Sequence, residues 1–300
     1  AFAPRDATIP AGIEHVIIDA PHYSVRELVI LGRAAERAGL DLYHAPHYVV
    51  PLVRTVPVVV TIHDLIHLHQ PLRNPAARIY ARGMLRRAVR KARTVLTVSE
   101  SVRQELETEL GARNVVVTPN GISPAFFEDG PSAEGRYFLY AGNDKPHKNV
   151  DALAGAFALV RGQLLEVTLV LVGGAFERFA QHDGVVTPGF VSEAELAALY
   201  RGALALVMPS AEEGFGLPAA EAMACGTAVI ASRANALVEL TGEAALHVTP
   251  DPAALAEAML RVARDASLRT MLGANGRARA SQFTWLRCAQ TTRHAYRNAV

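Results

Sequence analysis

The chain has 300 residues, half of them hydrophobic and 20% charged, with a formal net charge of +1. At roughly 150 residues per domain this length suggests two domains with full cores; the composition excludes a disordered or collagen-like chain and carries no whole-protein signal for nucleic acid. Two cysteines, Cys225 and Cys288, exclude a disulfide framework and a cysteine metal site, and they suit a reducing, cytoplasmic setting.

Short β-branched runs alternate with longer helical patterns. His15–Asp19 is expected as a strand, Ser24–Ala38 as a helix closed by Gly39, and Asp41–Ala45 as a short strand. Val56–Ile62 reads as a buried strand, Pro75–Ala92 as a helix, Thr94–Val98 as a strand, Ser101–Leu110 as a helix and Val115–Thr118 as a strand. Glu128–Gly135, polar and rich in Gly and Pro, is the expected linker. A second series follows: strands at Tyr137–Ala141, Val167–Val172, Val185–Thr187, Leu204–Met208 and Ala228–Ala231, with helices at Val150–Val160, Glu193–Tyr200, Ala219–Ala224, Pro252–Asp265, Ser267–Ser281 and Phe283–Val300. The alternation predicts βαβ units and parallel sheets in an α/β chain. Two doubly wound halves imply a cleft between them, with ligands beyond the carboxyl ends of the strands. No apolar run approaches the length of a membrane span, and the N-terminus carries no recognisable signal peptide.

Four segments carry candidate chemistry. Pro209–Gly226 leaves a strand, crosses Gly214-Phe215-Gly216 and enters a helix with Pro218 near its start. Free N–H groups at such a start form an anion site, and the glycines permit close approach of a ligand. Glu213 and Glu221 flank it, placed to accept hydrogen bonds from sugar hydroxyls. The alternative is a solvated helix start with acids complementing its dipole. Gly214, Gly216 and Ala219 also fit a dinucleotide fingerprint with Glu239 as the ribose acid, but Glu212 and Glu213 precede the loop and would repel a pyrophosphate. Tyr140–Val150 places Lys148, with Lys145 nearby, at a helix start where a cation would neutralise a diphosphate; two solvated loop lysines are the alternative. His63, Asp64 and His67 lie where a buried strand ends; their H-D-x-x-H spacing approaches a zincin motif but lacks its Glu and its helix. Finally, the stretch from Asp64 to Glu100 contains no acid between its ends but eight cations from Arg73 to Arg93. Arg82, Arg86, Arg90 and Arg93 share one helical face, either a solvated surface or a dock for anionic lipid.

Taken together, these segments resemble the retaining glycosyltransferases of family 4 (glycosyl transferases group 1), and in style the mannosyltransferases among them. VVVTIHDL, TVSE, TPNGI, YAGNDKPHKN, LVLVGG, PGFVSEAELAALY, EGFGLPAAEAMACGTAVIAS and ELTGEAALHVTPDPAALAEAM match that family's segments in order. The long E-x7-E match is the most specific. The resemblance implies the GT-B fold, two Rossmann-like doubly wound domains facing across a cleft. It implies a first domain at 1–128, a nucleotide-sugar-binding domain at 136–282, and a terminal helix at 283–300 crossing back to the first domain. It implies transfer of a hexose, first of all mannose from GDP-mannose, to a saccharide or lipid-linked acceptor, with retention and without cofactor or metal; no D-x-D pair occurs.

By position, the resemblance assigns catalytic roles to His63, Glu213 and Lys148. It assigns donor contacts to Gly142, Asn143, Lys148, Phe190, Val191, Gly214, Phe215, Gly216, Leu217 and Glu221. Many relatives carry Arg at the places of His147 or Asn143. They also open with a strand, a Gly-rich loop and a helix, whereas this chain is expected to begin after that unit. A second reading follows: a nucleotide-sugar-binding subunit, inactive alone, that needs either a homo- or hetero-oligomeric partner chain to complete its first domain or the missing N-terminal segment. Peripheral contact with the inner face of a membrane through Arg73–Arg93 is a further expectation.

Overall fold

The structure, a computed structural model, describes residues 1–18, 25–69 and 75–300. Asp19 of the expected first strand, Ser24 of the expected first helix and Arg73 of the basic segment lie outside the described residues. The chain divides into two units: Ala1–Val98, Val102–Thr118 and Gln290–Val300 form the first, Ser99–Ser101 and Pro119–Ala289 the second.

The first unit contains β1 (Phe2–Ala3), β2 (Val16–Ile17), α1 (Val25–Arg37), β3 (Tyr43–Ala45), β4 (Val58–Thr61), α2 (Ile66–His69), α3 (Pro75–Lys91), β5 (Thr94–Thr97), α4 (Glu100–Leu110, its first two residues counted with the second unit) and β6 (Val115–Val117). Strands β3 to β6 form a parallel sheet in sequence order. The Val58-Val59-Val60 run is buried throughout because both faces of the sheet are covered. Val58 and Val60 pack with Leu85, Ala88, Val95, Val102 and Leu106, while Val59 and Leu96 meet Ala295 and Ala299 of the last helix on the opposite face. Tyr296 Oη lies 2.6 Å from His44 Nδ1, and His44 Nε2 lies 2.8 Å from Thr61 Oγ1, pinning that helix to β3 and β4.

The expected strand His15–Asp19 is reduced to β2. It pairs in parallel with β1, apart from the four-stranded sheet, and Ile17 is 48% exposed. On α3, Ile79 is 74% exposed, and Arg78, Arg82, Arg86 and Arg90 are exposed with it. Two of the expected surface cations are turned onto the unit itself. Arg87 donates to the carbonyls of Val50 and Pro51, and Arg93 donates to those of Ala299 and Val300. Among the described residues no helix is long and apolar enough to cross a membrane.

The second unit contains β7 (Tyr137–Asn143), α5 (Val150–Arg161), β8 (Thr168–Gly174), β9 (Val185–Gly189), α6 (Glu193–Gly202), β10 (Ala205–Met208), α7 (Leu217–Ala224), β11 (Val229–Ser232), α8 (Asn235–Thr241), β12 (Ala245–Val248), α9 (Pro252–Arg264), α10 (Ala266–Ala280) and the start of α11 (Trp285–Ala299). Its six strands are parallel in the order β12-β11-β10-β7-β8-β9. Phe138, Tyr140, Leu169 and Leu171 of the central strands pack against Leu153, Phe157 and Val160 of α5 and Leu255, Met259 and Val262 of α9. Helix α6 starts with a capping box in which Ser192 and Glu195 satisfy each other's backbone donors. Asp251 and Asp265 cap α9 and α10 by accepting from first-turn N–H groups.

The boundary differs from the sequence expectation. Residues 119–128, assigned to the first domain, belong with the second unit, where Phe126 meets Tyr200 edge-on at a centroid distance of 5.8 Å. Residues 283–289 also belong there, since Phe283 packs against Phe215 at 5.6 Å, and only Gln290–Val300 of the terminal segment joins the first unit.

Candidate active site

Because β7 pairs with β8 on one side and β10 on the other, successive connections leave β7 in opposite directions. The loops after β7 and β10 therefore diverge, and a ligand fits in the gap between them. The first of these loops carries Lys148 and the second Glu213.

Lys148 Nζ donates to Glu213 Oε1 at 2.7 Å, and the two side chains are 18% and 7% exposed. The loop bearing Lys148 is held at several points. Asn149 adopts a left-handed conformation (φ 56°), and its Nδ2 donates to the carbonyls of Pro209 and Pro250 at 3.3 and 2.7 Å. It thereby ties together the exits of β7, β10 and β12; an Asn tolerates this φ better than most residues. The carbonyl of the buried His147 accepts from Ala211 N–H at 2.7 Å. Arg178 forks onto Asp144 (2.5 and 2.9 Å) and Asp151 (2.6 and 3.0 Å), and this hydrogen bonding lowers the Asp151 pKa. Gly142 and Asn143 close β7, and Asn143 accepts through its carbonyl from Tyr140 Oη at 2.9 Å.

Across the gap, Gly214, Phe215 and Gly216 are buried and lead into α7. Gly216 has φ 96°, and a Cβ there would stand 2.5 Å from Leu237 Cδ2, so the position requires glycine. The Gly216 carbonyl accepts from Ala219 and Ala220, while the N–H groups of Phe215, Gly216 and Leu217 reach no backbone carbonyl among the described residues. A cation, a buried carboxylate and a run of free amides thus share one loop cluster. Such a set offers an anion the cation and the amides, and offers hydroxyl donors the carboxylate.

Glu221 lies one turn into α7 and accepts from Tyr200 Oη at 2.9 Å. Burial pushes its carboxyl up to about 7, with nearby Glu193 adding to the rise and the Tyr200 hydrogen bond opposing it. Phe190 follows β9 with its ring 88% exposed, over Gly174, and Val191 beside it is half-buried. Glu239, the ribose acid of the dinucleotide alternative, does different work. It accepts from the N–H groups of Glu100 and Ser101 at 2.7 and 2.9 Å. In the first unit, His63 follows β4, exposed, with Nε2 3.2 Å from the Pro46 carbonyl. Asp64 Oδ1 accepts from Ile66 N–H at 3.1 Å and so starts α2.

Asn149, Arg178 and Tyr200 support the site, yet sequence reasoning gave them no role. The first had a signal, an Asn at the start of a helix pattern; the other two act through residues remote in sequence.

Comparison with known proteins agrees across the chain. The profile of Glycosyltransferase Family 4 matches residues 2–126 and that of Glycosyl transferases group 1 matches residues 135–265. The O-antigen chain mannosyltransferase B of Escherichia coli is 31% identical, aligned over 85% of this chain and 74% of its own. Sucrose-phosphate synthase from Thermosynechococcus elongatus superposes with a TM-score of 0.79 at 24% identity, covering 99% of this chain and 87% of that one. Anabaena HepE in complex with UDP and glucose superposes with a TM-score of 0.74 at 22% identity, over 88% of this chain and 80% of its own.

Proposed function

The chain belongs to the family 4 (group 1) glycosyltransferases and has their GT-B fold, and on that premise we propose that it transfers a hexose from a nucleotide sugar with retention at the anomeric carbon. Mannose from GDP-mannose is the first choice of donor, supported by the mannosyltransferase relative. UDP-glucose is the second choice, since HepE holds UDP and glucose. The acceptor is a saccharide or a lipid-linked saccharide.

The observation that carries the reading is the Lys148–Glu213 pair at 2.7 Å, set between the diverging loops and beside the free amides of Phe215, Gly216 and Leu217. In this mechanism Lys148 and those amides take up the charge that grows on the leaving diphosphate as the glycosidic bond breaks. Glu213 accepts from hydroxyls of the donor sugar, Glu221 from the ribose, and Phe190 with Val191 faces the base. His63 is assigned to the reacting sugar by the family pattern alone. An oxygen of the departing phosphate assists removal of the acceptor proton, which yields retention without a protein nucleophile. No metal or resident cofactor takes part in this scheme.

The test is a thermal-shift panel of GDP, UDP, ADP, dTDP and their sugar conjugates in EDTA, followed by turnover of whichever donor stabilises the protein. One nucleotide raising Tm selectively, with metal-independent turnover, is the expected result. No shift with any of them overturns the reading. Binding without turnover selects the subunit alternative.

The partner reading extends to the membrane surface. Arg78, Arg82, Arg86 and Arg90 are exposed on α3 with Ile79, a combination suited to anionic headgroups and the acyl boundary. Binding to vesicles containing phosphatidylglycerol that falls as salt rises is expected; no binding at low salt returns α3 to an ordinary solvated helix.

A further inference from the structure

The loop of Gly214, Phe215 and Gly216 depends on a residue far from it in sequence. Ser99, 3% exposed, donates through Oγ to the Gly214 carbonyl at 2.8 Å. Two further contacts hold the neighbouring residues from behind: Phe283 against the Phe215 ring, and Leu237 beside Gly216. Gly214 has no side chain by which the surrounding structure can hold its peptide, and glycine rotates more freely than any other residue. The carbonyl of Gly214 and the N–H of Phe215 belong to one planar trans unit and point in opposite directions. Whatever fixes the carbonyl therefore aims the amide.

Ser99 is itself fixed by its neighbours. Glu100 and Ser101 N–H donate to the two carboxylate oxygens of Glu239 at 2.7 and 2.9 Å. Arg279 in turn donates to the carbonyls of Glu239 and Leu240 at 2.9 and 3.0 Å, anchoring the end of α8. We propose that Ser99 is a positioning residue for donor cleavage: its hydroxyl, held in register by Glu239, orients the Gly214–Phe215 peptide so that the Phe215 amide faces the diphosphate. The role rests on the reading given under Proposed function, and it is distinct from direct contact with the donor.

The experiment compares wild type, Ser99→Ala, Ser99→Thr and Glu239→Gln. Donor hydrolysis or transfer is measured with GDP-mannose and with UDP-glucose, and amide spectra are recorded on protein labelled with 15N-phenylalanine, of which the chain has 10. In Ser99→Ala, kcat is expected to fall about tenfold with KM within about threefold, because the amide matters most as charge develops. The Phe215 amide resonance is expected to move, and Ser99→Thr to restore both. Glu239→Gln is expected to move the same resonance and lower kcat in the same direction. A kcat within twofold of wild type in Ser99→Ala, or an unmoved Phe215 resonance, overturns the proposal; so does a fall in Tm with neither change. If wild type turns over neither donor, the functional reading fails by itself, and the Phe215 resonance still decides whether Ser99 orients the peptide.

Discussion

Replacing Glu213 with Gln is expected to separate binding from catalysis in opposite directions. The Lys148–Glu213 pair spans 2.7 Å with both side chains largely removed from solvent. At an effective dielectric of about 20 its gross attraction is roughly 6 kcal/mol, and in bulk water it would be roughly 1.5 kcal/mol. Desolvation of the two ions offsets much of this. A diphosphate arriving at Lys148 must share or displace that carboxylate. Glu213→Gln removes the competing charge while keeping an acceptor of similar shape. GDP or UDP, whichever binds the wild type, should therefore bind the variant about 5–30-fold more tightly, equivalent to recovering about 1–2 kcal/mol. Sugar transfer should nevertheless collapse, because the carboxylate proposed to grip the sugar is gone. Lys148→Met should do the reverse to binding, weakening the same nucleotide by about 1.5–3 kcal/mol. Titration calorimetry on the three proteins measures the first two effects, and donor turnover measures the third. Unchanged or weaker nucleotide binding in Glu213→Gln would refute the competition argument.

Three further outcomes follow from the geometry. Glu221, with a folded pKa of about 7 against an ordinary 4.5, holds its proton in the native state over a range where the unfolded chain releases it. Its contribution to stability is full below pH 4.5 and is lost as pH rises through 7, about 3 kcal/mol in all; urea unfolding of wild type and Glu221→Gln should therefore diverge with rising pH, and parallel curves would contradict the assignment. Gly216→Ala must accept φ 96° and a methyl 2.5 Å from buried Leu237 Cδ2; a loss of about 2–3 kcal/mol in denaturant unfolding is expected, and a loss under 0.5 kcal/mol would mean that the loop relaxes freely. Tyr296→Phe removes the 2.6 Å contact with His44 Nδ1, so a loss of about 1 kcal/mol is expected, with donor nucleotide affinity unchanged.

The second unit was readable because its strands are continuous apolar runs and its helices are long. Val167–Val172 and Leu204–Met208 are recognisable by run length alone, and both faces of those strands are covered. Two short elements, α8 and β12, were not readable. Helix α8 has seven residues and no side-chain cap, and the edge strand β12 has only its first residue buried; neither shows a clear period. The start of the chain failed for a related reason. His15–Asp19 has the composition of a strand, but only two residues find a partner, and that partner is Phe2–Ala3. At the site, the residues on the two loops were legible because glycine, lysine and glutamate at a strand-to-helix turn have few structural uses. Ser99, Tyr200 and Arg178 were not, since their meaning comes from Gly214, Glu221 and Asp144, which lie 115, 21 and 34 positions away.

The order β12-β11-β10-β7-β8-β9 also constrains how the second unit comes into being. Strand β7, one of its two central strands, is the first one made. Strand β7 finds β8 soon after synthesis, but its other edge waits for β10, about sixty residues later in the chain. At about 5–20 residues per second, a ribosome leaves that edge open for several seconds. During this interval Phe138, Leu139 and Tyr140, all but fully buried in the finished sheet, present an unpaired apolar strand. A nascent chain of this protein is therefore most vulnerable to aggregation between the emergence of β8 and that of β10. A chain ending within that stretch would keep β7 as a permanent open edge.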